Sequence, residues 1–317
     1  MKKIALIVTV IALVCVVAVA FTACNNATTQ GQLQNVWKHY EKYTYSVEYG
    51  EETGTYVSEI TYHKAYSEEL GNKVTVGDAE ITQREGYLVS NTLDVGDTHF
   101  ETQCYFELSN GSVYLVPRAT YRKETVGGVD NIVMHGTYSG STLNYTLKVG
   151  DNASTTGSVA LSSPYYDNNE FHQSLRGIST MSTSLSFGFS TAIVAEDEIG
   201  KASLTFAIGG TEEVTTGVQA KQEDGSFAPL TVNCYKATLS RSTTVAGTAQ
   251  TLYYSVDPVK AYVEGDQTIV DPTTEGATWN LAHVLVKIVE PYKTADGKIG
   301  NVVYTLQSVS LGTATAE

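Results

Sequence analysis

The 317-residue chain has few of the residues on which many functions depend. It contains 6 prolines, 2 tryptophans and 4 cysteines, and only 20 lysines and arginines against 34 aspartates and glutamates, a net charge of −14. Binding to a phosphate backbone needs clustered basic side chains, so this balance argues against a nucleic-acid partner. The 42% hydrophobic content argues against wholesale disorder, and the 27 glycines show no collagen-like period. We therefore expect a folded, acidic chain.

The sequence also lacks the motifs that mark common catalytic and metal sites. It has no CxxC pair, no HExxH, no G-x-S-x-G and no phosphate-binding or dinucleotide fingerprint. The six histidines are dispersed, and they stand at positions 39, 63, 99, 135, 172 and 283. Paired acidic residues fall where turns are expected, which favours solvated loops over a carboxylate pair in a glycosidase. We expect no metal site, no cofactor and no enzymatic activity.

The N-terminus has the layout of an export signal. Lys2 and Lys3 precede an apolar run over residues 4–21, and the residues after Cys24 are polar. The run Phe21-Thr22-Ala23-Cys24 resembles a bacterial lipobox, with Phe21 where leucine is commoner. This resemblance implies cleavage after Ala23, transfer of diacylglycerol to the Cys24 thiol and acylation, as with palmitate, of the new amino group.

A diacylated Cys24 would anchor the chain to a membrane, because two acyl chains suffice for stable attachment. We therefore predict a signal peptide over 1–23, a polar tether over 24–32 and one domain over 33–317, on the extracytoplasmic side of the cell membrane. Removing the signal leaves 18 basic and 34 acidic residues, so anionic headgroups should repel the domain. The alternatives are an uncleaved membrane-spanning segment over 4–21 and an ordinary secretory signal that ends near Cys24.

Two further cysteines remain in the predicted domain. Cys104 and Cys234 could form one disulfide, which closes a loop of about 130 residues and contributes roughly 4–5 kcal/mol. The alternative is two buried thiols that pack as small hydrophobic side chains, and the strand-like runs around both residues favour it.

From Tyr43 onward the chain predicts antiparallel strands, because apolar and polar residues alternate between short turn signals. Clear examples are Tyr45/Val47/Tyr49 and Leu204/Phe206/Ile208. Asn110-Gly111 predicts a two-residue hairpin turn. The strands fall into two runs, about 43–163 and 184–311. We interpret the 21 tyrosines as residues of strand faces that are partly exposed to solvent, in preference to a sugar-binding surface.

Two segments depart from the strand pattern. Residues 32–43 have apolar and aromatic side chains at helical spacing, which predicts a short N-terminal helix. A mid-chain helix is predicted over about 166–177, with Asp167 or Asn168 as its cap and Phe171 and Leu175 four residues apart. The predicted fold is mainly β, a single large curved antiparallel sheet, or half-barrel, with the mid-chain helix covering its concave apolar face.

The mid-chain run carries a family resemblance. Residues 165–177, YYDNNEFHQSLRG, are similar to a hallmark of an uncharacterised family of exported bacterial proteins, and residues 232–241 and 250–258 resemble its later segments. The plan of a lipid anchor, a curved sheet and a helix across it also resembles the LolA/LolB lipoprotein carriers. The resemblance implies a cavity between sheet and helix that admits an acyl chain, with Phe171 and Leu175 in its lining. It implies no reaction.

Three functional hypotheses follow from these observations. The first is a membrane-tethered lipoprotein that binds or carries an apolar small molecule, such as a lipid or an acyl chain. The second is an envelope or surface module that contacts cell-wall polymer or another protein through tyrosine-rich strand edges and acidic loops. The third is a hydrolase whose groups converge from distant segments. His172, on the predicted helix, is interpreted as a partly exposed residue beside the cavity in preference to a catalytic group.

Overall fold

The structure is a computed structural model that describes residues 33–109, 114–178, 181–195, 198–241, 249–274, 279–293 and 299–312. The predicted signal peptide and tether, with Ala23 and Cys24, lie outside the described residues, as does the predicted Asn110-Gly111 turn.

The described residues form nineteen strands and one short helix. The strands are β1 Tyr40–Tyr49, β2 Glu52–His63, β3 Val74–Val76, β4 Ala79–Ile81, β5 Gly86–Val95, β6 Thr98–Ser109, β7 Tyr114–Val126, β8 Val129–Ser139, β9 Thr142–Val149, β10 Thr155–Ala160, β11 Ser186–Ala195, β12 Glu198–Lys221, β13 Phe227–Arg241, β14 Gln250–Ser255, β15 Val259–Glu264, β16 Gln267–Val270, β17 Trp279–Leu281, β18 Leu285–Lys293 and β19 Ile299–Gly312. The helix, α1, is Phe171–Ser174, and a 3-10 turn, Leu175–Gly177, follows it.

Seventeen of these strands belong to one large sheet. Its antiparallel neighbours follow one another in the order β10, β9, β8, β7, β6, β5, β2, β1, β19, β18, β14, β13, β12 and β11. One parallel contact, between Ala220 of β12 and Val270 of β16, adds the small group β15 to β17. The predicted single large sheet is confirmed, and its pairings are antiparallel, as predicted, except for this one parallel contact.

The alternation of side chains along each strand produces the core of the curved sheet. In β1, Tyr43, Tyr45 and Val47 are buried, while Thr44 and Ser46 between them are partly exposed. Successive strand residues point to opposite faces, so the buried set lines the inner, concave face. The same alternation in the other strands supplies one apolar core that also includes residues of the mid-chain segment.

The two ends of the sheet overlap without pairing as strands. In the described residues β10 and β11 share no ladder, so the sheet is not closed, in agreement with the predicted half-barrel. Leu143 and Leu147 of β9 pack instead against Ala192 of β11 and Ile199 of β12. At this seam the Ser190 hydroxyl donates to the backbone carbonyl of residue 162 at 2.6 Å. Packing and a few hydrogen bonds therefore hold the seam.

The mid-chain helix is shorter than the predicted 166–177. It begins after Glu170, which makes no side-chain cap bond, and its first turn continues directly into the 3-10 turn. The expected cap Asp167 accepts hydrogen bonds from Tyr138 and Thr120 of the sheet. Since these partners hold Asp167 in place, the residues before Phe171 follow the inner face of the sheet and do not extend the helix.

The predicted N-terminal helix is wrong. Leu33 and Gln34 form isolated bridges with Ile178 and Tyr114, and Tyr40 already begins β1. Some of the aromatic residues that are spaced as on a helix lie instead in β1, where side chains alternate between the two faces of the sheet. Strand β1 prevails because it pairs with β2 and β19 along its whole length. Among the described residues, no helix has the length and apolar character needed to cross a bilayer.

Candidate functional site

The segment 167–178 lies inside the curve of the sheet and contacts strands from both sides. The backbone carbonyl of Asn169 accepts hydrogen bonds from Asn91 Nδ2 of β5 and Thr102 Oγ1 of β6, both at 3.1 Å. On the other side, the Tyr254 hydroxyl of β14 donates to the carbonyl of His172 at 2.8 Å. The segment therefore bridges distant parts of the sheet.

A buried ion pair fixes the end of this segment to β1. Arg176 Nη1 lies 2.8 Å from Glu41 Oε2, and both side chains are fully buried. The Tyr43 hydroxyl donates to the same carboxylate oxygen at 2.6 Å, and the Arg176 guanidinium lies 5.0 Å from the Tyr43 ring centroid. Burial by itself would lower the pKa of Arg176, but the Glu41 carboxylate, together with the nearby Tyr43 and Tyr45, raises the pKa overall. Arg176 thus stays charged.

Asp167 fixes the beginning of the segment to the opposite side of the sheet. Its carboxylate accepts hydrogen bonds from the Tyr138 hydroxyl at 2.6 Å, the Thr120 hydroxyl at 3.2 Å and the Asn169 backbone NH at 2.9 Å. Burial raises the pKa of Asp167, while these three donors act in the lowering direction. The three donors compensate in part for the loss of water around the carboxylate.

The N-terminal segment closes one end of the half-barrel. Leu33 bridges to Ile178 at the end of the mid-chain segment. Trp37 packs edge-on against Tyr87 and Phe106, with ring centroids 5.5 Å apart in both pairs. These contacts fill the concave face between the starts of β1, β5 and β7 and the end of β6. We call this side the closed end.

A cleft of about 690 Å³ opens at the opposite end. Residues 168–172 form its floor, and inward-facing side chains of the strands form its walls. Its lining comprises Tyr56, Asn91, Leu93, Phe100, Thr102, Arg122, Asn168, Asn169, Phe171, His172, Ile193, Leu204, Leu239, Arg241, Gln250, Ile288, Glu290, Pro291 and Tyr304. We call the rim formed by the β7–β8 turn and the ends of β11 and β13 the mouth.

The two long walls of the cleft differ in character. Ile193, Leu204 and Leu239, on the neighbouring strands β11, β12 and β13, form an apolar wall. Across the cleft, Thr102 of β6 pairs in register with Asn91 of β5 and with Arg122 of β7, so these polar side chains lie in one row. Cross-strand neighbours share a face. The cleft is therefore amphipathic.

Charged groups also face the cleft. Arg122 and Arg241, two of the five arginines in the chain, belong to its lining. The Arg122 guanidinium lies 4.7 Å from the Phe100 ring centroid, and Nη2 is 3.4 Å from Glu124 Oε2. Burial lowers the pKa of Arg122 and raises the pKa of Glu290 on another wall. The cleft thus offers positively and negatively ionisable groups beside an apolar surface.

His172 lies at the floor and is neutral at neutral pH. Its Nε2 donates to Gln250 Oε1 at 3.0 Å. Burial lowers the pKa of His172 to about 4, although the bond to Gln250 acts in the raising direction. The side chain is partly exposed and lines the cleft, where it presents an uncharged ring beside Phe171.

The predicted site residues have different positions. Phe171 lines the cleft, whereas Leu175 is fully buried beneath the floor and does not line it. Cys104 and Cys234 are free, buried thiols, which is the alternative that their strand positions favoured. Burial raises the pKa of Cys104 and brings that of Cys234 to about 12, so neither thiol is reactive at neutral pH.

The polar residues that line the cleft were not predicted from the sequence. Asn91 stands between Val89 and Leu93, at a position where the alternation of β5 calls for an apolar residue. Thr102 has the same relation to Phe100 and Cys104 in β6. A polar residue at a strand position that the alternation assigns to the buried face was thus the sequence feature that could have indicated the polar lining. In the part of the chain that the structure describes, no group of three or more histidine, cysteine, aspartate or glutamate side chains is placed to hold a metal ion.

Comparisons with known proteins show structural similarity only at a low level. No family model matches the chain, and no curated protein matches it. One similar solved structure comes from Brucella abortus and is described as a beta-barrel-like protein of domain of unknown function DUF1849. The matched region covers 89% of this chain and 98% of that chain. The identity is 10% and the TM-score 0.46. A similarity at this level carries no argument about fold or function.

Proposed function

We propose that this protein is a lipid-anchored extracytoplasmic binding protein whose cleft holds an amphipathic ligand with a lipid or acyl portion. The observation that carries the proposal is the cleft of about 690 Å³ at the open end of the half-barrel. Sites for small molecules typically have volumes of roughly 300–1,000 Å³ and combine apolar lining with a few polar groups.

The two walls suggest how such a ligand lies. An acyl portion would pack against Ile193, Leu204 and Leu239, where each buried methylene contributes about 0.8 kcal/mol. A polar head would face Thr102 and Arg122 on the opposite wall. The floor at residues 168–172 is held from both sides by hydrogen bonds, so the site is largely preformed. A preformed site loses less conformational entropy when it binds.

The lipid anchor rests on the lipobox-like run that ends at Cys24. Labelled palmitate fed to bacteria that produce the full chain should be incorporated into the wild-type protein and not into Cys24→Ala. Equal labelling of the two proteins, or no labelling of either, would contradict the anchor. This measurement does not involve the cleft, so it tests the anchor separately.

Photo-crosslinking in living cells tests the ligand site. Benzoylphenylalanine placed at Leu239, in the apolar wall, should form an adduct with the mass of a cellular lipid. The matched control is the same amino acid at Phe227, an exposed position on the same strand outside the cleft lining.

The pattern of adducts separates the hypotheses. Lipid adducts at position 239 and none at 227 support the proposal. No small-molecule adduct at 239 in folded protein would overturn it. Adducts with cell-wall polymer or protein at 227 alone would favour the interaction module.

A further inference from the structure

The cleft and the attachment point of the N-terminal segment lie at opposite ends of the half-barrel. Gln34 bridges to Tyr114, the first residue of β7, whereas Arg122 of the cleft lies near the end of the same strand. Strand β7 ends at Val126, at the turn into β8 on the mouth. The chain therefore enters the domain at the closed end.

The height of the half-barrel follows from the length of its strands. Strand β7 has 13 residues, which corresponds to about 40 Å from end to end at about 3.3 Å per residue. Strands of curved, barrel-like sheets tilt by roughly 40° from the axis, which leaves about 30 Å between the closed end and the mouth.

The covalent link to the membrane is short compared with the height of the half-barrel. Nine residue steps separate Cys24 from Leu33. At full extension they span at most about 32 Å. For the mouth to face the anchoring bilayer, these residues would have to run back along almost the full height of the domain, close to their maximal length. The excess acidic charge of the domain also opposes close approach to anionic lipid.

From this geometry we infer that the cleft opens away from the anchoring membrane, so that ligand enters and leaves on the aqueous side opposite the bilayer. The inference rests on the proposed lipid anchor at Cys24. The protein would then receive ligand from, or deliver it to, the aqueous space that its mouth faces, because its mouth does not take ligand directly out of the anchoring bilayer.

Energy transfer to the bilayer tests this orientation with two matched positions on one strand. Val129 and Ser139 are the first and last residues of β8, both are exposed, and they lie at the mouth and at the closed end respectively. Each is replaced by cysteine in the full chain, labelled with a donor dye and reconstituted in liposomes that contain an acceptor-labelled lipid. Cys104 and Cys234 are buried, so the unsubstituted protein serves as the control for labelling.

We expect transfer from Ser139→Cys to exceed that from Val129→Cys by at least about twofold, because the two sites differ by tens of ångströms in height along the strand. Equal transfer from the two sites, or greater transfer from Val129→Cys, overturns the inferred orientation. Palmitate incorporation is measured on the same preparations. A chain that incorporates no palmitate refutes the anchor, whereas a palmitoylated chain with equal or reversed transfer refutes the orientation alone.

Discussion

At the scale of single residues, the concave face combines an apolar core with a few buried polar groups. Glu41, Asp167 and Arg176 are all nearly or fully buried, and each has a charged or hydrogen-bonding partner. These partners could not be predicted from the sequence, since Arg176 lies 135 residues from Glu41. Such pairs exist only after the sheet has curved.

Breaking the buried ion pair should cost far more than breaking a surface pair. We expect Arg176→Met to lower the free energy of unfolding by about 3–5 kcal/mol, because Glu41 is left buried without its cation. Adding Glu41→Gln to that variant should recover part of the loss. Urea denaturation measures both changes.

The matched control is the exposed pair between Lys236 and Glu212, whose nitrogen and oxygen lie 2.8 Å apart. Lys236→Met should change the free energy of unfolding by less than about 1 kcal/mol. Similar losses in the Lys236 and Arg176 variants would show that the buried pair has no special role.

His172 should make the fold sensitive to mild acid. Its pKa is lowered to about 4 in the folded protein, against an ordinary value of 6.5. Between these values the unfolded chain binds a proton that the folded chain does not, so stability falls as the pH decreases. The loss should reach about 2 kcal/mol at pH 5 and should be negligible above pH 7.

Urea denaturation of the wild type and His172→Gln at pH 7.5 and pH 5 measures this contribution. The variant lacks the titrating ring, so its stability relative to the wild type should rise as the pH falls. A difference between the two proteins that stays constant over this range would refute the assigned cause.

At the scale of elements, the strands were predictable and the mid-chain segment only in part. Alternation along β1, β11 and β12 reveals one buried face without any knowledge of the neighbours. The predicted mid-chain helix includes α1 and the 3-10 turn that follows it, but it extends too far toward Asp167. The false N-terminal helix has a similar origin, because local spacing does not reveal the two strands that pair with β1.

Asp167 should hold the whole floor of the cleft in place, because it accepts hydrogen bonds from two strands of the sheet. Asp167→Ala leaves the Tyr138 and Thr120 hydroxyls without their acceptor, and we expect a loss of about 3 kcal/mol in the free energy of unfolding. Amide hydrogen exchange of residues 167–172 should accelerate more than that of β1. Uniform acceleration across the sheet would contradict a local role.

At the scale of the whole molecule, the fold class followed from the strand pattern, but the cleft did not. The two strand runs form one continuous sheet because β1 pairs with β2 on one side and with β19, near the end of the described residues, on the other. Which inward positions remain uncovered depends on where residues 33–37 and 171–178 fill the concave face. That filling is a three-dimensional property, so the volume and the two unlike walls were beyond the reach of sequence reasoning.

The most direct test of the central claim is to fill the cleft and ask whether the ligand is lost. Benzoylphenylalanine at Ile193, in the apolar wall, reports lipid capture in cells, and Leu239→Trp on the same wall reduces the volume available. We predict that Leu239→Trp removes most of the lipid adduct at position 193, while Val263→Trp, at an exposed position outside the cleft lining, leaves it unchanged. An adduct of undiminished yield in correctly folded Leu239→Trp would contradict the claim that the cleft holds the ligand.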